Sequence, residues 1–216
     1  MADRIEAPRL CLVTPGLAEP RALAAAVEAA LAGGDVASLI IAAEGASAAA
    51  LQRIAEIVVP VATARGVAAL VAGEASVALR TKADGVHVET GVADLRAALA
   101  RLHPKGIVGA GGIASRHDAM TLGEAGPDYV FFGRLDGDDA PSVHDRALDL
   151  AAWWAELFEI PAILMAGSVV ASVGEAAAAR VEFVALRRAV WDHPDGPGAA
   201  VAEANRLLRH PADAAA

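Results

Sequence analysis

A single (β/α)8 TIM barrel, of the α/β class, is the fold that this 216-residue sequence predicts, on three observations. Short apolar runs recur at near-even spacing, and each is followed by a longer stretch with helical periodicity. The runs are almost continuously hydrophobic, as strands are when both faces of a parallel sheet are buried. Eight such runs in about 200 residues match the size of a closed barrel better than an open doubly wound sheet.

The expected strands are Leu10–Val13, Ser38–Ala42, Ala68–Ala72, Gly85–Val88, Gly106–Gly109, Tyr129–Phe132, Ala162–Met165 and Glu182–Leu186. Helical patterns lie between them, for example at Pro20–Leu31, Ala46–Ala64, Asp94–Leu102 and His144–Leu157. Pro20 and Pro141 suit helix starts, where a missing N–H costs least. Ser115 and Asp118 have capping-box spacing, which opens the helix after strand 5. Trp153 and Trp154 suit a buried helical face or the interface of a homo-oligomer, and core burial is the reading taken. No linker interrupts the pattern, so residues 1–216 read as one domain: a barrel over about 9–191, a closing helix at Gly198–Arg209 and a frayed tail.

Composition narrows the function. The chain is 56% hydrophobic and only 4% aromatic, so alanine and small aliphatics carry the core, and the composition argues against disorder. A formal charge of −9 gives no basic field for nucleic acid or an anionic membrane. The lone Cys11 can form no internal disulfide and no cysteine metal site, which suits a reducing compartment. The start MADRIEAPR does not read as a secretory signal, and acidic residues interrupt the Ala-rich stretch from Ala22 to Leu51. A cytoplasmic protein is expected.

In such a barrel, ligands meet the C-terminal ends of the strands. Strand 4 ends there in a polar cluster, His87, Glu89, Thr90 and Asp94. His87 reads as an inward, hydrogen-bonded residue rather than a general base. Glu89 stands at the rim, and Asp94 is the candidate metal ligand, through oxygen. Strand 5 runs into AGGIAS, placing Gly111 and Gly112 at the rim, and strand 6 runs into a loop that opens with Arg134. The loops after strands 7 and 8 supply Gly167, Ser168, Arg187 and Arg188. Free N–H groups, a glycine that admits close approach and a guanidinium together suit a phosphate. Alternation along the strand lets only one of the two arginines face inward.

Three stretches carry a family likeness: ADGVHV at 83–88, DYVFFG at 128–133 and IPAILMAGSV at 160–169. On them the chain resembles thiamine phosphate synthase and its relative, the thiazole tautomerase, from about Leu10 to Trp191. The resemblance implies a cytoplasmic transferase of thiamine biosynthesis. Such an enzyme joins a pyrimidine diphosphate to a thiazole phosphate and releases diphosphate with Mg²⁺. It also implies a Gln-x-Arg-x-Lys pattern at strand 2, where this chain has Leu39, Ile41 and Ala43, and Asn-Asp at strand 3, where it has Ala72 and Gly73. The loop after strand 6, basic in the family, here reads RLDGDDAP. The strand-5 histidine of the tautomerase is replaced by Ala114, with His117 inside the next helix.

Three functions remain open on the sequence. One is the family's coupling reaction. Another is a non-catalytic protein that binds a phosphorylated small molecule. The third is an enzyme of another substrate using Glu44, Glu74, Glu89 and Arg134. Removing one well-placed transition-state donor costs about 10²–10³ in rate, so the missing residues predict little coupling.

Overall fold

A computed structural model describes residues 7–16, 19–43 and 45–209. Eight parallel strands close into a barrel in sequence order, with β8 pairing back onto β1. The strands are β1 (Arg9–Val13), β2 (Ser38–Ile41), β3 (Ala68–Ala72), β4 (Gly85–Val88), β5 (Ile107–Ile113), β6 (Tyr129–Phe132), β7 (Ala162–Met165) and β8 (Phe183–Leu186). Between them run α1 (Pro20–Ala32), α2 (Ala48–Ala64), α3 (Ala75–Thr81), α4 (Val92–Leu102), α5 (Arg116–Gly123), α6 (Asp145–Leu157) and α7 (Val173–Ala178). A 3₁₀ turn (Val170–Ser172) precedes α7, and α8 (Arg188–Trp191) and α9 (Pro197–Arg209) follow β8. Among the described residues, no helix is long and apolar enough to cross a membrane.

The predicted fold is the observed one. The alternation of each strand separates two cores. Outward residues such as Leu12, Leu39, Val86 and Leu164 pack under the helices. Inward residues, among them Cys11, Ile40, Leu70, Phe131 and Met165, fill the barrel. Burial holds the Cys11 thiol up at about 12, so it stays protonated and acts as a small apolar group.

Acidic residues fasten the N-terminal ends of the strands. Asp84, just before β4, accepts the Ala69 amide of β3; Asp128, before β6, accepts that of Val108; Glu182, before β8, accepts that of Ala162. The same device thus ties three pairs of neighbouring strands at one end of the barrel. At the opposite end, Thr14 Oγ1 donates to the Ala42 carbonyl and accepts the Ala42 amide, both at 2.9 Å. Trp191 Nε1 donates to the Val13 carbonyl at 2.6 Å, seating α8 against β1.

Several local expectations change. Strand 5 runs on to Ile113, so Gly111 and Gly112 lie in the strand rather than in a turn; a register shift between Ala110 and Ile113 accommodates Gly112 at φ +72°. Pro141 does not open a helix: α6 begins at Asp145, and Pro141 lies in the preceding loop. The sequence after strand 8, read as loop, contains the short α8. Ser115 Oγ accepts the Asp118 amide as expected, while Asp118 Oδ2 reaches back to the amide of Ala114. Trp154 is buried in the core and donates to the Ile160 carbonyl, whereas Trp153 is half-buried beneath the Arg116 guanidinium. The tail, residues 210–216, and Glu44 lie outside the described residues.

The barrel interior is filled unevenly. A Cβ built on Gly109 would collide with the Tyr129 ring, so β5 must be bare there for the ring to lie across the lumen. Gly109→Ala is therefore expected to destabilise the fold by about 1–3 kcal/mol, as overpacked cores do. Denaturant unfolding compared with wild type measures it.

Candidate functional site at the barrel mouth

A cavity of about 880 Å³ opens over the C-terminal ends of β2, β3, β4 and β6. Small residues, Ala42, Ala43, Ala72 and Gly73, form its β2 and β3 side. From β4 come His87, Val88, Glu89 and Thr90, and from α4 Asp94 and Arg101. Glu74, Arg134 and Asp136 complete the rim. The strand-4 cluster read from the sequence is thus assembled at one cavity.

His87 is fully buried and points inward. Its Nδ1 lies 2.9 Å from the Tyr129 hydroxyl, and the two ring planes are 8° apart. Burial holds the Tyr129 hydroxyl well above its usual range, with the nearby Cys11 and Glu89 adding to the effect, so the hydroxyl keeps its proton. The arrangement that uses that proton has the hydroxyl donating to Nδ1, which places the imidazole proton on Nε2. Nε2 has no hydrogen-bond partner among the described residues; Glu89 Oε1 stands 3.8 Å away, beyond hydrogen-bond reach. Gly111 makes room for this edge, since a Cβ there would lie 2.6 Å from Nε2. At Gly112 a Cβ would meet the Glu89 carbonyl at the same distance. The two rim glycines therefore shape the seat of His87 and Glu89.

The rim carries mixed charge. Arg134 is exposed and gives both Nε and Nη2 to Asp136, at 2.9 and 2.6 Å. Glu74 accepts from Ser76 at 3.0 Å. Asp94 lies in the first turn of α4 and is exposed. Carboxylate oxygens suit Mg²⁺, which is commonly held by one or two carboxylates together with substrate phosphates. Among the described residues no three His, Cys, Asp or Glu side chains converge as a metal site. The carboxylates that line the cavity are Glu74, Glu89, Asp94 and Asp136.

The ends of β7 and β8 differ from the sequence-based picture. A Cβ on Gly167 would collide with the Pro141 carbonyl, so the group in close approach is the chain's own β6–α6 loop. The Gly167 amide donates to Ser172 Oγ, and the Ser168 amide to the Ala140 carbonyl. Of the two arginines, Arg187 continues the inward series of Phe183 and Ala185. Its guanidinium is 3.3 Å from Asp138 Oδ1, with the Arg187 side chain 16% exposed and that of Asp138 fully buried. Arg188 points outward, 48% exposed, with Asp192 at 3.2 Å and Asp139 at 3.8 Å. A smaller pocket of about 360 Å³ lies between Ser168–Ala171 and Arg188.

Sequence reasoning missed two site residues. Tyr129 opens the strand-6 stretch DYVFFG and is the chain's only tyrosine, a signal that was available. Asp138 sits in the acidic loop RLDGDDAP, whose three carboxylates look alike until folded.

A closed β/α barrel with a cavity at the C-terminal ends of its strands is the architecture that places a small-molecule site at that end. The chain belongs to the thiamine monophosphate synthase family, which matches residues 10–190. It is 36% identical over 203 residues to a thiamine-phosphate synthase of Rhodospirillum centenum, covering 93% of this chain and 98% of that one. A thiamine-phosphate synthase of Hyphomonas neptunium is 33% identical, with 93% of both chains covered. The solved thiamine phosphate pyrophosphorylase of Pyrococcus furiosus superposes with a TM-score of 0.76 at 21% identity, over 96% of this chain and 98% of that one, a likeness of fold.

Replacing Tyr129 with Phe leaves His87 Nδ1 buried without its partner. Tyr129→Phe is expected to cost about 1–3 kcal/mol. The His87 ring ¹⁵N shifts should then move away from a single Nε2–H tautomer; unchanged shifts would show that Tyr129 does not set it.

Proposed function

We propose that this chain binds a phosphorylated small molecule of the family's kind at the barrel mouth and supports little of the coupling reaction. One observation carries the reading: where β2 and β3 meet the cavity, the wall is Ala42, Ala43, Ala72 and Gly73. A departing diphosphate gains charge as its bond breaks and needs cations or oriented donors beside it. Alanine and glycine side chains supply neither. Glu74, Glu89, Asp94 and Asp136 line the same space and oppose an anion there. Mg²⁺, where bound, would supply charge neutralisation at the leaving group, with Asp94 and Glu89 as its protein oxygens. The ligand's phosphate is assigned to the pocket between Ser168–Ala171 and the Arg188 side chain.

His87 and Glu89 bind and orient. The inward Nε2–H offers a donor to a ligand atom once the exposed Glu89 carboxylate turns aside, and that carboxylate offers an acceptor next to it. A second reading keeps the coupling activity. Arg101 and Arg134 line the cavity from α4 and the β6–α6 loop, and two guanidinium groups could serve the diphosphate in place of the strand-2 cations.

The purified protein, given the pyrimidine diphosphate, the thiazole phosphate and Mg²⁺, is expected to turn over at least about 10²-fold more slowly than a family member with the intact strand-2 pattern. Turnover within about tenfold of that member, abolished by Arg101→Ala or Arg134→Ala, establishes the second reading instead.

A further inference from the structure

We propose that the Asp138 carboxylate is a resident anion. It occupies the anion position at the end of β8 from within the chain and thereby keeps a ligand's phosphate away from Arg187 and the Arg188 amide. Its Oδ2 accepts the Arg188 backbone N–H at 2.6 Å, and its Oδ1 lies 3.3 Å from Arg187 Nη1. A backbone amide and a guanidinium converging on one pair of oxygens is the donor set that anion sites use. Here the oxygens belong to a side chain with no solvent exposure.

The loop around Asp138 is fixed on both sides. Before it, the Gly137 amide closes a turn onto the Arg134 carbonyl at 3.0 Å. After it, the Ala140 carbonyl accepts the Ser168 amide at 2.8 Å, the Pro141 carbonyl packs on Gly167, and the Val143 amide donates to Glu175 Oε2 at 2.9 Å. A phosphate at the same place would lie against a buried carboxylate or would have to displace this whole segment. Either costs far more than an exposed ion pair returns. Arg187 is then a positioning group for the loop, and Asp138 decides which arginine remains open to a ligand. The inference rests on this geometry and holds whatever ligand the main cavity takes.

Calorimetry with inorganic phosphate tests it on the full chain. Asp138→Ala should bind phosphate at least about tenfold more tightly than wild type. That gain should vanish in the double variant with Arg187→Ala and persist in the double variant with Arg188→Ala. Weak binding to wild type at the outer pocket, by contrast, is what Arg188→Ala alone removes, so the two assignments fail separately. No gain in Asp138→Ala, or a gain that survives Arg187→Ala, overturns the proposal. Where Asp138→Ala is too unstable to titrate, formate, the smallest carboxylate, should raise its unfolding midpoint and leave wild type unmoved; no rise also overturns it.

Discussion

The fixed volume inside an eight-stranded barrel is the constraint on which the site depends. Inward positions of neighbouring strands share one lumen, so a large side chain on one stave requires a bare stave beside it. Here β5 yields twice. Gly109 gives way to the Tyr129 ring and Gly111 to the Nε2 edge of His87. These two vacancies let a tyrosine and a histidine lie side by side across the barrel, which in turn fixes the imidazole proton toward the mouth. The polarity of the cavity floor is therefore a packing consequence of two glycines, not only a matter of which polar residues the chain contains.

The rim follows a different logic, because loops and not strands set it. The β6–α6 loop crosses the ends of β7 and β8, and its backbone takes up the Ser168 amide and fills the space beside Gly167. Two groups that suited a ligand in the unfolded sequence thus serve the chain itself. Buried polar groups need partners, and the nearest supply is often another segment of the same protein.

The strands were legible because both their faces are buried, which leaves an unbroken apolar signature in each. Parity along a strand also limited Arg187 and Arg188 to one inward member. The end of strand 5 was not legible: AGGIAS has turn composition, and only the neighbours of Gly111 and Gly112 show why glycine is needed inside a strand. Pro141 misled for a similar reason, since proline suits both a helix start and a loop pressed against a neighbouring strand end. Asp138 was illegible as an individual. Its loop offers Asp136, Asp138 and Asp139 within four residues, and burial alone separates the one that binds Arg187 from the one that binds Arg134 and the one left exposed.

That division of carboxylates also ranks the cations of the mouth. Arg134 faces Asp136, Arg187 faces Asp138, and Arg188 faces Asp192, so the arginines that follow β6 and β8 each have a carboxylate of the chain beside them. Exposed pairs are worth at most about 1 kcal/mol, so Arg134 and Arg188 can leave their partners for a ligand at little cost. Breaking a buried pair strands an uncompensated charge and costs about 3–5 kcal/mol, so Arg187 cannot. Arg101 has no ion-pair partner among the described residues and lines the main cavity. An anion arriving at this barrel therefore meets Arg101, Arg134 and Arg188 as its accessible cations. All three lie on helices or in loops, on side chains with long flexible stems. Strand-borne cations would be held in register by the sheet, and transition-state stabilisation depends on such preorganisation. Binding tolerates mobile cations far better than catalysis does, and that asymmetry adds to the case that the alanine and glycine wall of β2 and β3 makes for a binding role at this mouth.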